Sequence, residues 1–354
     1  MVEGGIFTIL DNCLQKIEQY NHQNDFEIIA LVNDISKFNY PTITFIEFPK
    51  SKKYWFYRLY YEYVYFKKLS KKLQPDVWLS LHDVTPNVVA KKQFVYCHNP
   101  NMFYKPSLKE WILDYKMGIF GIFYKYLYQI NIQKNTNVFV QQHWIKDVFE
   151  KTFSIKNIIV SKPEFAEVIT TEKVELDASK IHFLFPSAAK YYKNYEIIFE
   201  AIEILNKDIS NKIQIHFTNI IGSDLQYAKN ILRKHQTNPS FNFLPSLERK
   251  DLLKYYNSID CLLFSSKLET WGLPISEAKA YQKPMLVANL AYAKETVGDY
   301  DNVSFFDVNN PKQLANLIIQ FVEKNNVFEG NKYPYDDKNQ CEDWNSIFDI
   351  ITKN

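Results

Sequence analysis

Short apolar runs recur along the chain and alternate with longer stretches of helical period. Glu27 to Val32, Thr42 to Phe48, Val77 to Leu81, Phe94 to Tyr96 and Val138 to Val140 form a first series. Ile181 to Phe185, Ile213 to Phe217, Phe241 to Leu244, Cys261 to Phe264, Met285 to Ala288 and Val303 to Phe306 form a second. Runs of this length bounded by polar residues predict strands, and their alternation with helical segments predicts parallel sheets covered by helices. Helical spacing is clear in Tyr195, Ile198, Phe199, Ile202 and Leu205, and again in Leu314, Leu317, Ile318 and Phe321, so both segments should pack on the second sheet. The polar stretch Ser161 to Lys180, with Pro163, separates the two series. A second polar break, Glu323 to Gln340, precedes a closing helix over Asp343 to Ile351 that carries Trp344, Ile347, Phe348 and Ile351. The expected class is therefore α/β, with two Rossmann-like domains over 1–165 and 166–335 and a terminal helical segment over 336–354.

Bulk properties narrow this picture. A chain of 354 residues suits two domains of similar size, each with its own core, and hence a cleft between them. Forty-two basic against forty acidic side chains leave a formal charge of +2, which gives no general reason to expect nucleic acid. Cys13, Cys97, Cys261 and Cys341 lie far apart without a C-x-x-C pair, fit a reducing compartment and read as packing residues. No secretory leader and no run of about twenty apolar residues stands out, so a cytoplasmic protein is expected. Met117 to Ile130, the most apolar stretch, is cut by Lys125 and is too polar to cross a bilayer, though not to lie on one. Lys50-Ser51-Lys52-Lys53 and Lys67, Lys68, Lys71 and Lys72 bracket a helix crowded with Tyr54, Trp55, Phe56, Tyr57, Tyr60, Tyr61 and Tyr65. That pattern suits the anionic inner face of the cytoplasmic membrane, and equally a solvated helix whose aromatic side packs on the sheet. The front of the chain is unusual: Met1-Val2-Glu3-Gly4-Gly5 offers a glycine turn where a Rossmann-like domain would first supply a strand. The first strand is expected to be missing.

The candidate chemistry lies after Cys261 to Phe264. Ser265 to Trp271 reads as a loop, and Pro274 sits where the first turn of a helix accepts proline because no amide hydrogen is needed there. Strand, loop and helix start make an anion site: the amides of Trp271, Gly272 and Leu273 point outward with the positive end of the helix dipole. Gly272 is expected to clear the path of a phosphate. Glu269 before the turn and Glu277 within the helix can each accept paired hydrogen bonds from adjacent hydroxyls, Glu277 from a ribose and Glu269 from a sugar ring. Lys190 and Lys193, after Ile181 to Phe185, supply the cations that a diphosphate flanked by two acids needs. His98, in a turn with Asn99-Pro100, reads as a histidine exposed for work. His82 and Asp83, following Val77 to Leu81, either line an acceptor side together with Asn99 or simply begin the next turn. Gly4 and Gly5 read either as a phosphate turn or as a terminus. Glu277 alone would read as a carboxylate complementing a helix dipole. Asp299-Tyr300-Asp301 has the outline of a metal-binding D-x-D but falls in a late polar turn, so no metal is expected.

Glu269-Thr270-Trp271-Gly272-Leu273-Pro274-Ile275-Ser276-Glu277 resembles the E-x7-E signature of glycosyltransferase family 4, retaining enzymes of the GT-B fold. Phe185-Pro186-Ser187-Ala188-Ala189-Lys190-Tyr191-Tyr192-Lys193-Asn194 resembles that family's first C-domain loop, whose basic residues hold the donor diphosphate; many members carry an arginine where this chain has lysines. Phe243-Leu244-Pro245-Ser246, followed by Leu253 to Asp260, is similar to the loop and helix beside the nucleotide base, and Val95-Tyr96-Cys97-His98-Asn99-Pro100 to the N-domain loop whose histidine faces the transferred sugar. Gly4-Gly5 resembles the glycine turn under the phosphates, and the terminal helix resembles the one that crosses back onto the first domain.

The resemblance implies a retaining, metal-independent transferase of hexosyl type with no cofactor beyond its substrate. A nucleotide-sugar donor would be held by Gly4, Gly5, Lys190, Lys193, Ser246, Glu269, Thr270, Trp271, Gly272, Leu273 and Glu277. His98, Glu269 and Lys193 would take catalytic roles, and a glycan or lipid-linked acceptor would lie near His82, Asp83 and Asn99. The setting implied is capsular polysaccharide, exopolysaccharide or O-antigen assembly. The alternative is a catalytically weak partner subunit that binds nucleotide or glycan.

Overall fold

The computed structural model describes residues 5–22, 25–104, 111, 115–164, 169–325, 328–333 and 340–353. The chain divides into two compact units. The first comprises Met1–Met102, Ile119–Phe165 and Asp336–Asn354; the second comprises Phe103–Gly118 and Ala166–Tyr335. Strands β1 (Ile28–Val32), β2 (Ile43–Glu47), β3 (Val77–Ser80), β4 (Lys92–Cys97), β5 (Asn137–Val140) and β6 (Ile158–Ser161) belong to the first unit. The second holds β7 (Ile181–Phe185), β8 (Ile213–Ile221), β9 (Phe241–Pro245), β10 (Cys261–Phe264), β11 (Met285–Ala288) and β12 (Val303–Phe306). A two-residue strand, β13 (Gln340–Cys341), returns to the first unit.

In the first unit β1 pairs in parallel with β2, and a separate five-stranded parallel sheet runs in the order β13-β6-β5-β4-β3. No strand among the described residues joins the two sheets. The first described element is the helix Gly5–Asn21. Gly5 begins that helix, and Gly4 lies outside the described residues. The helix forms because Leu10, Cys13, Leu14 and Ile17 recur at helical spacing. Leu10 and Leu14 pack with Val32 and Ile43, while Cys13 packs with Phe94, Phe139, Trp344 and Phe348, so one helix backs both sheets. Trp344 and Phe348 come from the closing helix Trp344–Thr352, capped by the Asp343 carboxylate, which accepts from the Ser346 amide at 2.8 Å. β13 straddles the end of the expected polar break, with Cys341 just beyond it. Its two residues carry no strand pattern of their own; pairing with β6 and the Lys162 amide on the Cys341 carbonyl (3.1 Å) hold it.

The basic and aromatic segment expected as one helix is four pieces: Lys50–Lys53, Trp55–Tyr60, a π-helical turn Tyr61–Tyr65, and Phe66–Leu73. At the π turn the Asn87 amide donates to the Glu62 carbonyl at 2.8 Å, an acceptor that a regular helix would use internally.

The second unit is one parallel sheet in the order β12-β11-β10-β7-β8-β9, with the helices Tyr195–Ile204, Gln226–His235 and Pro311–Val322 covering it through Ile198, Ile202, Ile231, Leu314 and Ile318. All four cysteines are free and buried. A polar chain interrupts this interior. Asn242 Nδ2 donates to His216 Nδ1 at 2.9 Å, His216 Nε2 and His182 Nδ1 are 3.0 Å apart, and His182 Nε2 meets the Asp177 carbonyl at 2.9 Å. Each bond has one donor and one acceptor when both imidazoles are neutral. Burial first, and then His182, push His216 down to about 4. An ordinary histidine titrates near 6.5 in the unfolded chain, so that chain binds more protons between those values. The stabilisation from His216 is thus full above about pH 6.5 and is lost as pH falls toward 4, by about 3 kcal/mol in all. Urea melts of wild type and His216→Asn across this range are expected to show that slope only in the wild type; equal slopes would refute the assignment.

Candidate functional site

In the second unit β10 and β7 are neighbours, and the loops after them are bonded together. Ser265 Oγ donates to the carbonyls of Lys193 and Asn194, both at 3.0 Å. The Lys267 amide donates to the Tyr192 carbonyl at 2.7 Å, and the Tyr292 hydroxyl to the Ser266 carbonyl at 2.6 Å. These bonds bring together two residues 76 positions apart: Lys193 Nζ donates to Glu269 Oε1. Lys193 also lies over the Phe264 ring, 5.7 Å from its centroid. Burial alone would lower its pKa; the charge and hydrogen bond of Glu269 outweigh that and raise it, so the ammonium persists through the neutral range. Lys190, three residues earlier, is exposed at the head of the short turn Tyr191–Lys193.

Gly272 has φ +91°, in the left-handed region where side chains are disfavoured. It is buried, and a Cβ there would meet Ile275 Cδ1 and Tyr292 Cε2 at 3.4 Å. This corrects the expectation that the glycine clears a phosphate's path: its open side faces protein, and the backbone angle is what requires glycine. The turn is held by Trp271 Nε1 donating to Ser276 Oγ at 2.9 Å and by Thr296 Oγ1 donating to the Trp271 carbonyl. The helix Leu273–Ala280 starts directly after, with Pro274 in its first turn. Pro274 has no amide hydrogen and the Ile275 amide donates to the Gly272 carbonyl at 2.9 Å, so the amides that meet no acceptor among the described residues are those of Trp271, Gly272 and Leu273. The donor-rich end of the helix is therefore present, built by a strained turn rather than by a bare glycine face. Thr270 is half-buried in the same loop.

Glu277, one turn into the helix, pairs with Arg249 Nη1, the first residue of the helix Arg249–Ser258. Tyr256 on that helix buries its hydroxyl against Glu277 with no hydrogen-bond partner among the described residues; burial, then the charge of Glu277, raise its pKa well above the usual phenol value. Arg249 was not expected from sequence, and Tyr256 only as part of the segment Leu253 to Asp260 beside the base. The available signal was an arginine at a helix start a few residues past Pro245-Ser246. Ser246 itself is exposed on that connecting loop. Asp299 and Asp301 serve the strap that follows: Asp299 accepts from the Tyr333 amide at 2.7 Å, and Asp301 lies 3.9 Å from Lys332.

In the first unit the loops after β3 and β4 are joined by Asp83. Buried and at φ +71°, it accepts from the amides of His98 (2.7 Å) and Asn99 (2.9 Å) and from the Tyr128 hydroxyl (3.1 Å) through Oδ1. His98 was expected to be exposed in its turn. Its ring is instead buried, with Nε2 3.9 Å from Asp83 Oδ2, because the carboxylate that organises both amides draws the turn inward. Asn99 Oδ1 accepts from the Asn101 amide at 2.9 Å and so caps the short turn Pro100–Phe103. His82 sits beside Arg58, whose Nη2 donates to the His82 carbonyl at 3.0 Å; burial, then Arg58 and His98, hold the imidazole well below its ordinary pKa. Asp83 thus positions the loop.

Residues 169–334 match the family model for glycosyl transferases group 1. The matched stretch is just under half of the chain and spans the loops of Lys193, Glu269 and Glu277. A relative from Klebsiella pneumoniae, an uncharacterized 41.2 kDa protein in a cps region, is 24% identical over 155 residues, which is 44% of this chain and 37% of the relative. Among solved structures the chain is similar to WaaG, a glycosyltransferase involved in lipopolysaccharide biosynthesis (TM-score 0.67, 10% identity, 100% of this chain and 98% of that one). It is also similar to a glycosyltransferase from Rickettsia africae ESF-5 (TM-score 0.63, 15% identity, 92% and 86%). Likeness to Anabaena HepE in complex with UDP-glucose has TM-score 0.59 at 13% identity, over 91% and 87%. The chain spans about half the length of TarM, with TM-score 0.52 and 15% identity over 73% of this chain and 50% of that one. At these identities the likeness shows the fold: two Rossmann-like domains of the GT-B kind, as expected from the strand series.

Proposed function

We propose that this chain is a retaining glycosyltransferase of family 4 type that moves a hexosyl group from a nucleotide sugar to a glycan or lipid-linked saccharide in surface-polysaccharide assembly. The observation that carries this reading is the turn from Glu269 to Glu277. It presents unbonded amides and a helix start between two carboxylates, each gripped by a cation from a different loop. In the proposed complex, Glu277 accepts from a ribose diol and the amides after Glu269 meet the diphosphate. Lys193 and Lys190 neutralise the charge that builds on the leaving phosphate as the glycosidic bond breaks, without a metal ion. Glu269 faces the sugar ring and keeps Lys193 charged. The K. pneumoniae relative in a cps region and the likeness to WaaG support the polysaccharide setting. Incubation with UDP-hexoses and a lipid-linked acceptor, followed by NMR of the product anomer, tests the proposal. An α-linked product from an α-linked donor is expected. An inverted product would remove the retaining assignment, and nucleotide binding without any turnover would favour a partner subunit.

A contact with anionic membrane forms part of the proposal. Phe56, Tyr60 and Val64 are exposed at helical spacing, and the same segment continues into exposed Lys67, Lys68 and Lys71. The helix Tyr115–Gln129 adds exposed Ile119, Ile122, Phe123 and Tyr126, with Lys125 beside them. Apolar side chains flanked by lysines suit a bilayer surface bearing negative headgroups. Sedimentation with vesicles containing about one-third phosphatidylglycerol is expected to carry the protein down at low salt and release it at high salt. Failure to sediment at low salt would remove this contact while leaving the donor site untouched.

A further inference from the structure

Glu62 is 5% exposed inside the first unit, on the π-helical turn Tyr61–Tyr65. No side-chain hydrogen bond to its carboxylate is seen among the described residues, and its backbone carbonyl accepts from the Asn87 amide at 2.8 Å. Leaving a buried carboxylate without donors is costly, and helices that insert a π turn often do so to re-aim a side chain at a functional site. The compensating charge is Arg58, one turn earlier on the same segment. Arg58 reaches outward from it: Nη2 donates to the His82 carbonyl at 3.0 Å, and the Tyr124 hydroxyl is bonded to the guanidinium. His82 Nδ1 is a buried polar atom without a hydrogen-bond partner among the described residues. His82 follows β3, at the carboxyl edge of a parallel sheet, the edge where α/β folds take their ligands.

We propose that Glu62, Arg58 and His82 form the pocket that binds hydroxyl groups of a neutral acceptor saccharide. This rests on the glycosyltransferase reading and deepens it by giving the acceptor its own residues. A carboxylate accepts from one hydroxyl, a guanidinium donates to the oxygen of its neighbour, and the free imidazole nitrogen serves a third. Arg58 and Glu62 cancel in charge, so the site favours neutral sugars over acidic ones. Arg58 and Tyr63 on its own segment are the charged and titratable groups beside Glu62; Arg58 in turn is flanked by Asp83 after β3 and Tyr124 on the helix Tyr115–Gln129, and His82 by Arg58 and by His98 after β4. Burial, partly offset by Arg58, brings Glu62 up to about 7, so its accepting form fills as pH rises through neutrality.

Saturation-transfer NMR with a mixture of methyl glycosides of neutral hexoses tests this, with UDP-induced thermal shift measured in parallel. Wild type is expected to give glycoside signals that grow as pH rises through about 7. Glu62→Gln should reduce them about tenfold and flatten the pH dependence, while the UDP shift is kept. Glu62→Asp, which retains a carboxylate, should keep the pH dependence with weaker signals and serves if the glutamine variant does not fold. Undiminished glycoside signals in Glu62→Gln, or none in a wild type that binds UDP, would overturn the pocket. Loss of the UDP shift in the wild type, with glycoside binding still dependent on Glu62, would instead sink the donor reading and leave the pocket standing.

Discussion

Lys193→Ala is expected to lower kcat by on the order of 10² to 10³, with a much smaller change in donor KM. The ammonium is held in place by Glu269 and by the rings of Tyr192 and Phe264, and its charge is kept by the neighbouring carboxylate rather than by solvent. A donor so placed need not reorganise as negative charge develops on the leaving phosphate, which is where a pre-aimed group is worth about 2 to 4 kcal/mol. The bound diphosphate already carries charge and also gains from Lys193, but the further negative charge that develops on the leaving phosphate gains more, hence the expected split between kcat and KM. The loop bonds from Ser265 and Lys267 to residues 192–194 involve backbone carbonyls and survive the substitution, so the fold should persist. Steady-state kinetics with a circular-dichroism melt checks both parts. A folded variant with unchanged kcat would remove Lys193 from the reaction.

Glu277→Ala is expected to act on binding instead, raising donor KM by about 10- to 100-fold. One hydrogen bond to a charged acceptor is worth about 1.5 to 3 kcal/mol after exchange with water, and each 1.4 kcal/mol is tenfold, so the net loss of one such bond gives this range. Arg249 modifies the outcome. In the structure it occupies Glu277 Oε1, so a diol must share or displace it. Arg249→Ala is therefore expected to change donor KM far less than Glu277→Ala does. Isothermal titration with nucleoside diphosphates measures this; equal affinity in wild type and Glu277→Ala would detach the ribose from that carboxylate.

Much of the fold was legible because its strands are buried runs that need no partner to be recognised. Cys261–Phe264 and Met285–Ala288 are apolar throughout and fall where expected. β13 was not legible: two residues in a polar stretch become a strand only because β6 offers an unpaired edge. The π turn at Tyr61–Tyr65 was hidden for a similar reason, since the donor that takes the Glu62 carbonyl comes from Asn87, 25 positions on, and no local pattern announces it. At the candidate site, Glu269, Glu277 and Lys193 stood out through spacing around a proline-led helix. Their partners did not: Arg249 and Tyr256 reach Glu277 from another helix, and proximity of that kind is set by strand order. Gly272 shows a third case, in which the residue was read at the right place for the wrong physical reason, because sequence does not separate a glycine needed for its backbone angle from one needed for open space.

The central claim is that the turn after β10 holds the diphosphate, and a crystal structure with the nucleoside diphosphate that gives the largest thermal shift tests it most directly. The expected result is phosphate oxygens within hydrogen-bond distance of the Trp271 and Gly272 amides and of Lys193 Nζ, with the ribose diol on Glu277. A nucleotide bound elsewhere, with those amides still unoccupied, would contradict it.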